Sequence, residues 1–291
     1  MGLLLITRFT LQEAIRRKLF LAMTILSVLL LILFTLLLNF AIQQIGGPAN
    51  NPGQSASQLQ QGVILAGVAV SFPAMWLVYL ISGASTIFLT VGMISGEIEA
   101  GTFVIIVPKP IRRIEIILGK WLGYALVLSI YTALMSLAFM GIINWVTGYF
   151  PSQAWSVIGM LELSMLVLLA LTTLCGAFVP TAANGAIAFM LFISAFVSSI
   201  VQFAVPQDNH AVQNTVTFIN LLIPTDAIWH GASYFLIPSA ILAGVGSVSP
   251  RALDTPFTSA SSIAPALLLW VAVYIIVLPL LSSARFQRRD L

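Results

Sequence analysis

Charge is scarce in this chain. Only 7% of its 291 residues are Asp, Glu, Lys or Arg, while 59% are hydrophobic. Soluble domains carry about 25% charged residues, so a globule of this composition could not cover itself with polar surface, and lipid must replace water over much of it. Cysteine is nearly absent. The single Cys175 lies in an apolar run, which excludes an internal disulfide and any Cys/His metal spacing and reads as a small buried hydrophobe. No polar stretch is long enough for a soluble domain. The phosphate-binding pattern G-x-x-x-x-G-K-[ST] is missing, since Gly119-Lys120 is followed by Trp121 and lacks the upstream glycine. No Ser or Cys sits in a nucleophile motif, and both histidines, His210 and His230, fall in one late stretch. An intramembrane hydrolase is therefore not expected.

What is present is length in the hydrophobic runs. A bilayer core takes about 20 apolar residues per helix, and six runs qualify: Leu19–Ile42, Gly62–Ser95, Trp121–Val146, Ala154–Pro180, Ala183–Val205 and Ile263–Ser283. The first exceeds a secretory h-region of about 7–15 residues and reads as a retained signal anchor. The second is too long for one upright span and too short for two. It reads as a tilted or bent helix, with Pro73 and Ser82-Gly83 as bend points. The expected fold class is all-α: a polytopic bundle of six transmembrane helices in one domain covering 1–291.

Orientation follows from the basic residues. With six spans, one face holds Arg8, Arg16, Arg17, Lys18, Lys109, Arg112, Arg113, Lys120, Arg285, Arg288 and Arg289, and the other only Arg251. The first face, with both termini, is cytoplasmic by the positive-inside rule. The turn near Thr181–Ala182 belongs to it. Ala227–Val245 is apolar enough to compete as a seventh span. That would move Arg285, Arg288 and Arg289 outside, so it reads as a re-entrant or interfacial segment within an outer element, 206–262. Gln43–Gln61 reads as an exposed flexible loop. Residues 1–18 read as an interfacial helix with Leu4, Leu11 and Ile15 on one face.

The segment Gly96–Lys120, GEIEAGTFVIIVPKPIRRIEIILGK, holds seven charged residues: Glu97, Glu99, Lys109, Arg112, Arg113, Glu115 and Lys120. An apolar patch, Phe103–Val107, lies between them, and Pro108 and Pro110 forbid a continuous helix. This reads as a short helix, a break and the start of span three. Polybasic flanks are common beside spans, but the apolar centre and the acidic pair Glu97/Glu99 point to a docking surface.

These residues resemble the corresponding loop of ABC-2 type transporter permeases. The resemblance rests on Glu99, Gly101 and Thr102, then Lys109, Pro110 and Arg113, then Gly119 and Lys120, placed between spans two and three. The six-span count and the enlarged outer element before the last span agree. Arg112 departs from the small polar residue that many members have. The resemblance implies a permease subunit whose loop is a coupling helix seated on a separate cytoplasmic ABC ATPase. ATP and Mg would then be bound by that partner, and this chain would be no enzyme and carry no cofactor. Export is the commoner role in such a family. Six spans imply half of a pathway, hence a second permease copy or a related subunit. A multi-pass protein of the cell membrane in contact with lipid is expected, with no nucleic-acid partner. The coupling candidates are Glu97, Glu99, Gly101, Thr102, Lys109, Pro110, Arg112, Arg113, Gly119 and Lys120. An ATP-independent carrier and a non-transporting scaffold are the alternative readings.

Three other features carry two readings each. Glu162 lies inside the fourth run, where a charge is costly. It either lines a path or subunit seam, or is a carboxyl near the outer interface, protonated or hydrogen-bonded to a neighbour such as Ser164 or Tyr149. Asp226 and His230 are four apart and could begin a metal site, but no third ligand is evident, and Thr225 or Asp226 suits a helix N-cap. Gly119/Gly123 and Ser194/Ser198 have the small-x-x-x-small spacing of close helix contacts, or have it by chance.

Overall fold

A computed structural model describes residues 2–46, 55–99, 113–205, 209–238, 255–259 and 261–287. Among these the regular elements are all helices: α1 (Gly2–Arg16), α2 (Lys18–Gly46), α3 (Ala56–Thr90), α4 (Ser95–Glu99), α5 (Arg113–Thr147), α6 (Ala154–Gly176), α7 (Thr181–Ala204), α8 (His210–Leu222), α9 (Thr225–Leu236) and α10 (Pro265–Gln287). Six of them, α2, α3, α5, α6, α7 and α10, are long and apolar enough to cross a membrane. The chain is an all-α polytopic membrane bundle. Six crossings put both chain ends on the face rich in basic residues, here termed the basic face. The opposite side is the far face.

Helices are the answer to a solvent without hydrogen bonds, because each closes its own backbone ladder. Hydroxyls within the spans do the same locally: Thr24 and Thr35 donate to the carbonyls of Phe20 and Leu31 at 2.9 and 2.7 Å. Several ends lie elsewhere than the hydropathy runs place them. The stretch 43–61 is a loop only in its middle, since α2 reaches Gly46 and α3 begins at Ala56. The start of α3 is set by a capping box, in which Gln58 N–H donates to Ser55 Oγ at 3.3 Å and Ser55 N–H to Gln58 Oε1 at 2.9 Å. From there α3 runs unbroken through Pro73 and Gly83 to Thr90. Thr181 and Ala182 are not a turn but the first residues of α7, begun by Pro180, whose missing N–H costs nothing at a helix start. Gly148, at φ +73°, ends α5 in the left-handed conformation that glycine adopts without strain.

The fourth span, α6, is the hub: 67% of its 18-residue apolar stretch is buried, against 11% of that of α2. On α2, Ile25, Leu29, Ile32 and Leu36 face outward at helical spacing, the signature of a lipid-facing stripe. Between spans five and six, α8 and α9 stand in for a seventh crossing. At 12 residues α9 is about 18 Å long, too short for a hydrocarbon core of about 30 Å. It is nevertheless sunk into the bundle. Trp229, Ile228, Ala232 and Leu236 are all fully buried. The Trp229 ring lies 5.5 Å from that of Tyr79, and its Nε1–H donates to Phe257 O at 3.1 Å.

On the N-terminal helix Leu4 and Ile15 are exposed, while Ile6, Thr10, Leu11 and Ala14 turn toward α5. A stripe of glycines on α5 lets the two backbones approach.

Candidate functional site

The candidate site is the basic-face end of the bundle, where the 96–120 segment meets the spans. Gly101, Thr102, Lys109, Pro110 and Arg112 lie outside the described residues. Of the other sequence-selected residues, Glu97 and Glu99 are on α4, Arg113 opens α5, and Gly119 and Lys120 follow two turns later on α5. These fall into two groups.

The first group ties α4 to span five. Helix α7 starts after Pro180 without a side-chain cap from its own chain neighbours, which leaves its first N–H groups in need of acceptors. Glu99 supplies one from 82 residues away: Thr181 N–H donates to Glu99 Oε1 at 2.8 Å. The Thr181 hydroxyl lies 3.2 Å from Glu99 Oε2 and 3.0 Å from Ser95 Oγ. A carboxylate at a helix N-terminus also complements the helix dipole. Below this, Asn184 Nδ2 donates to the carbonyls of Val91 at 2.9 Å and Thr172 at 3.0 Å, and Thr90 and Thr172 share a hydrogen bond of 2.8 Å. Ser282 on α10 donates to Thr173 O at 3.0 Å. The short helix at the start of the loop is thus pinned, through polar groups in α3, α6 and α7, to three spans.

The second group faces α1. An atom added at Gly119 as Cβ would stand 2.9 Å from Ile6 Cβ, and one at Gly123 would stand 2.8 Å from Thr10 Cβ. The small-x-x-x-small spacing here marks a real close approach, reinforced by Thr7, whose hydroxyl is 3.1 Å from Gly119 O. Ser194 and Ser198 instead border a groove between α7 and α8. Lys120 is 7% exposed, with Glu13 and Arg17 as charges acting on it. At the elbow between α1 and α2, Arg17 pairs with Glu13 at 2.7 Å, donates to Leu89 O at 3.3 Å and lies 5.7 Å from the Tyr124 ring centre. Gly119 and Lys120 are therefore turned into the molecule, with Gly119 against α1. Thr181, Asn184 and Arg17 were not singled out from sequence. Their only local signals are a hydroxyl after Pro180, an amide one turn later, and a basic residue before an apolar run.

Glu162 stands partly buried on α6, about two turns from its far-face end. Its two expected neighbours are engaged elsewhere. Ser164 donates to Thr225 O at 3.4 Å and Tyr149 to Leu236 O at 3.0 Å. Among the described residues nothing hydrogen-bonds or ion-pairs with Glu162.

On the far face, Asp226 does not cap α9. That helix starts with Pro224 in the cap position, and the Asp226 carboxyl accepts from the Ser199 hydroxyl of α7 instead. Ser199 Oγ is 3.0 Å from His230 Nε2, and Asp226 Oδ2 is 3.6 Å from the same nitrogen. A hydrolytic relay needs the hydroxyl and the carboxylate on opposite ring nitrogens. Here both approach one, so the trio is not a nucleophile-base-carboxylate chain. No third metal ligand joins Asp226 and His230 among the described residues. The helix α9 is not one of the six spans, and burial pushes the Asp226 carboxyl up to about 7 against the opposing pull of the Ser199 hydrogen bond.

No curated protein matches the chain. A family model described as ABC-2 family transporter protein matches residues 5–291, which takes in every span, the α4 segment and the far-face helices. With six apolar spans and a charged segment seated between the second and third, the chain belongs to the ABC-2 family of transporter proteins.

Proposed function

We propose that this chain is the membrane half of an ATP-driven exporter of the cell membrane, coupled through residues 96–120 to a separate cytoplasmic ABC ATPase that holds ATP and Mg, and paired with a second permease copy or a related subunit. The observation that supports this reading is the Glu99–Thr181 bridge. It makes the docking segment mechanically continuous with the start of span five. ATP-driven closure of the ATPase would displace α4 together with its loop, and the displacement would pass to α7 through a capping carboxylate rather than through a slack linker. Glu97, Gly101, Thr102, Lys109, Pro110, Arg112 and Arg113 would form the ATPase-facing surface. Gly119 and Lys120 would act one step back, by holding α1 against the base of span three.

The test is purification of the tagged chain from its native membrane in mild detergent. The wild type is expected to bring down an ATPase that carries the phosphate-loop motif. A variant with Glu97, Arg112 and Arg113 reversed in charge is expected to lose it while keeping its helical content. Glu99 is left intact because it also caps α7. An intact bundle that recovers no ATPase in either form would return the reading to an ATP-independent carrier or a scaffold.

Glu162 is proposed as a residue of the path or of the subunit seam. It is the one carboxyl within the buried fourth span, and an unpaired charge at such a depth costs about 2.5–3.5 kcal/mol on insertion scales. Glu162→Gln is expected to reduce transport at least several-fold in reconstituted vesicles, with ATPase binding unchanged. Full transport by the variant would remove Glu162 from the path.

A further inference from the structure

The far face holds a cavity of about 630 Å³ between the end of α7, α8, α9 and the residues 255–259 and 261–263, within the size range of small-molecule sites. Its chemistry is one-sided. Among the described residues, Asp226 and His230 are its only titratable lining groups and no Lys or Arg lines it. Asn220, Thr255, Thr258 and Ser259 add neutral polar groups. Asp226 is 2% exposed, and while Oδ2 takes the Ser199 hydroxyl, Oδ1 is buried without a hydrogen bond. His230 stands 3.6 Å from Oδ2, so it is Oδ1 that is left over, and a buried acceptor without a donor is destabilising.

We propose that this cavity binds a primary ammonium group, with the Asp226 carboxylate as its counter-charge and the lining hydroxyl and amide oxygens as further acceptors. Anionic ligands are disfavoured by the carboxylate and by the lack of Lys or Arg among the described lining residues. A quaternary ammonium carries the charge but has no N–H to give to these acceptors. The same chemistry reaches the cavity from two sources. Ser199 stands about 7.5 Å of helix rise below the end of span five at Ala204, and Phe203 on the cavity wall is well exposed. The opening thus lies near headgroup depth, where the ammonium of a phosphatidylethanolamine could enter from the leaflet, and a free amine could enter from water. The site stands apart from the ATPase-coupling proposal, and its binding is read without any ATPase.

The experiment uses the full chain in nanodiscs of phosphatidylcholine, reading the apparent melting temperature, since a ligand that binds only the folded state raises it. One arm titrates ethanolamine, with ethylene glycol and choline as the neutral and quaternary controls. The other replaces part of the phosphatidylcholine with phosphatidylethanolamine. A rise of several degrees in either arm, absent with the controls and lost in Asp226→Asn, is the expected result, and the responding arm identifies the source. Ser261→Trp guards against a folding defect in the first variant. It fills the cavity mouth from an exposed position and is expected to abolish the rise by itself. No rise in either arm, or an equal rise in both variants, overturns the proposal.

Discussion

Replacing Glu99 by alanine is expected to separate ATP hydrolysis from transport. The subunits should still assemble, because the surface proposed to meet the ATPase lies along the rest of the 96–112 segment. What disappears is the acceptor for Thr181 N–H and the anionic charge at the start of α7. Loss of a capping side chain costs about 0.5–2 kcal/mol. Glu99 is exposed, which places the loss toward the lower end, too little to unfold a six-span bundle. The larger effect is mechanical. Without the bridge, the hydrogen bond left between α4 and span five among the described residues is that of the Ser95 and Thr181 hydroxyls. In a reconstituted complex, transport is expected to fall about tenfold or more, the effect of about 1.4 kcal/mol, while basal ATP hydrolysis stays near the wild-type rate. Glu99→Gln keeps an acceptor and gives up the charge, so it should fall between the two. If Glu99→Ala transports as the wild type does, the bridge is packing detail and the proposed route from loop to span five is wrong.

The second large effect is expected from the glycine stripe on α5. At Gly119 an added Cβ meets Ile6 Cβ and Cγ2 at 2.9 Å and the Leu3 carbonyl oxygen at 3.1 Å. At Gly123 it meets Thr10 Cβ at 2.8 Å and the Thr7 carbonyl oxygen at 3.2 Å. Two of these partners are backbone atoms, which cannot swing aside as a long side chain does. Overpacking of this kind costs about 1–3 kcal/mol per site. The double variant Gly119→Val/Gly123→Val should therefore lift α1 from α5 rather than compress the contact. Ala14, fully buried in the α1 contact, reports the outcome. Introduced as Ala14→Cys, it should resist a membrane-permeant maleimide in the wild-type background and react in the double variant. Continued protection would show that α5 yields instead, and that α1 is held by more than the glycine approach.

These expected results separate what one-dimensional patterns can carry from what they cannot. Six spans, a re-entrant or interfacial segment before the last one and a charged segment between the second and third were legible because lipid imposes a rule on every residue of a crossing helix: no charges, about 20 residues, all backbone groups closed locally. That rule acts on consecutive residues and so is written consecutively. The contact of α1 with α5 was not legible for the complementary reason. It depends on the close approach that Gly119 and Gly123 allow, and those glycines lie more than a hundred residues from α1.

The polar groups follow the same division. Glu99 stood out by charge and by its place in the loop, while its partner Thr181, 82 residues on, has no distinguishing pattern of its own. Asp226 suits a cap when α9 is taken alone. Only the packing of α7 against α9 brings Ser199 to it and leaves its second oxygen buried without a donor beside a polar cavity. The sequence by itself determined that the chain lives in a membrane, how often it crosses, and which segment carries the charge. The tertiary structure alone decided which hydroxyl, carboxyl and glycine meet, because hydrogen bonds and close approaches depend on distances across helices, and hydropathy along a helix contains no such distances.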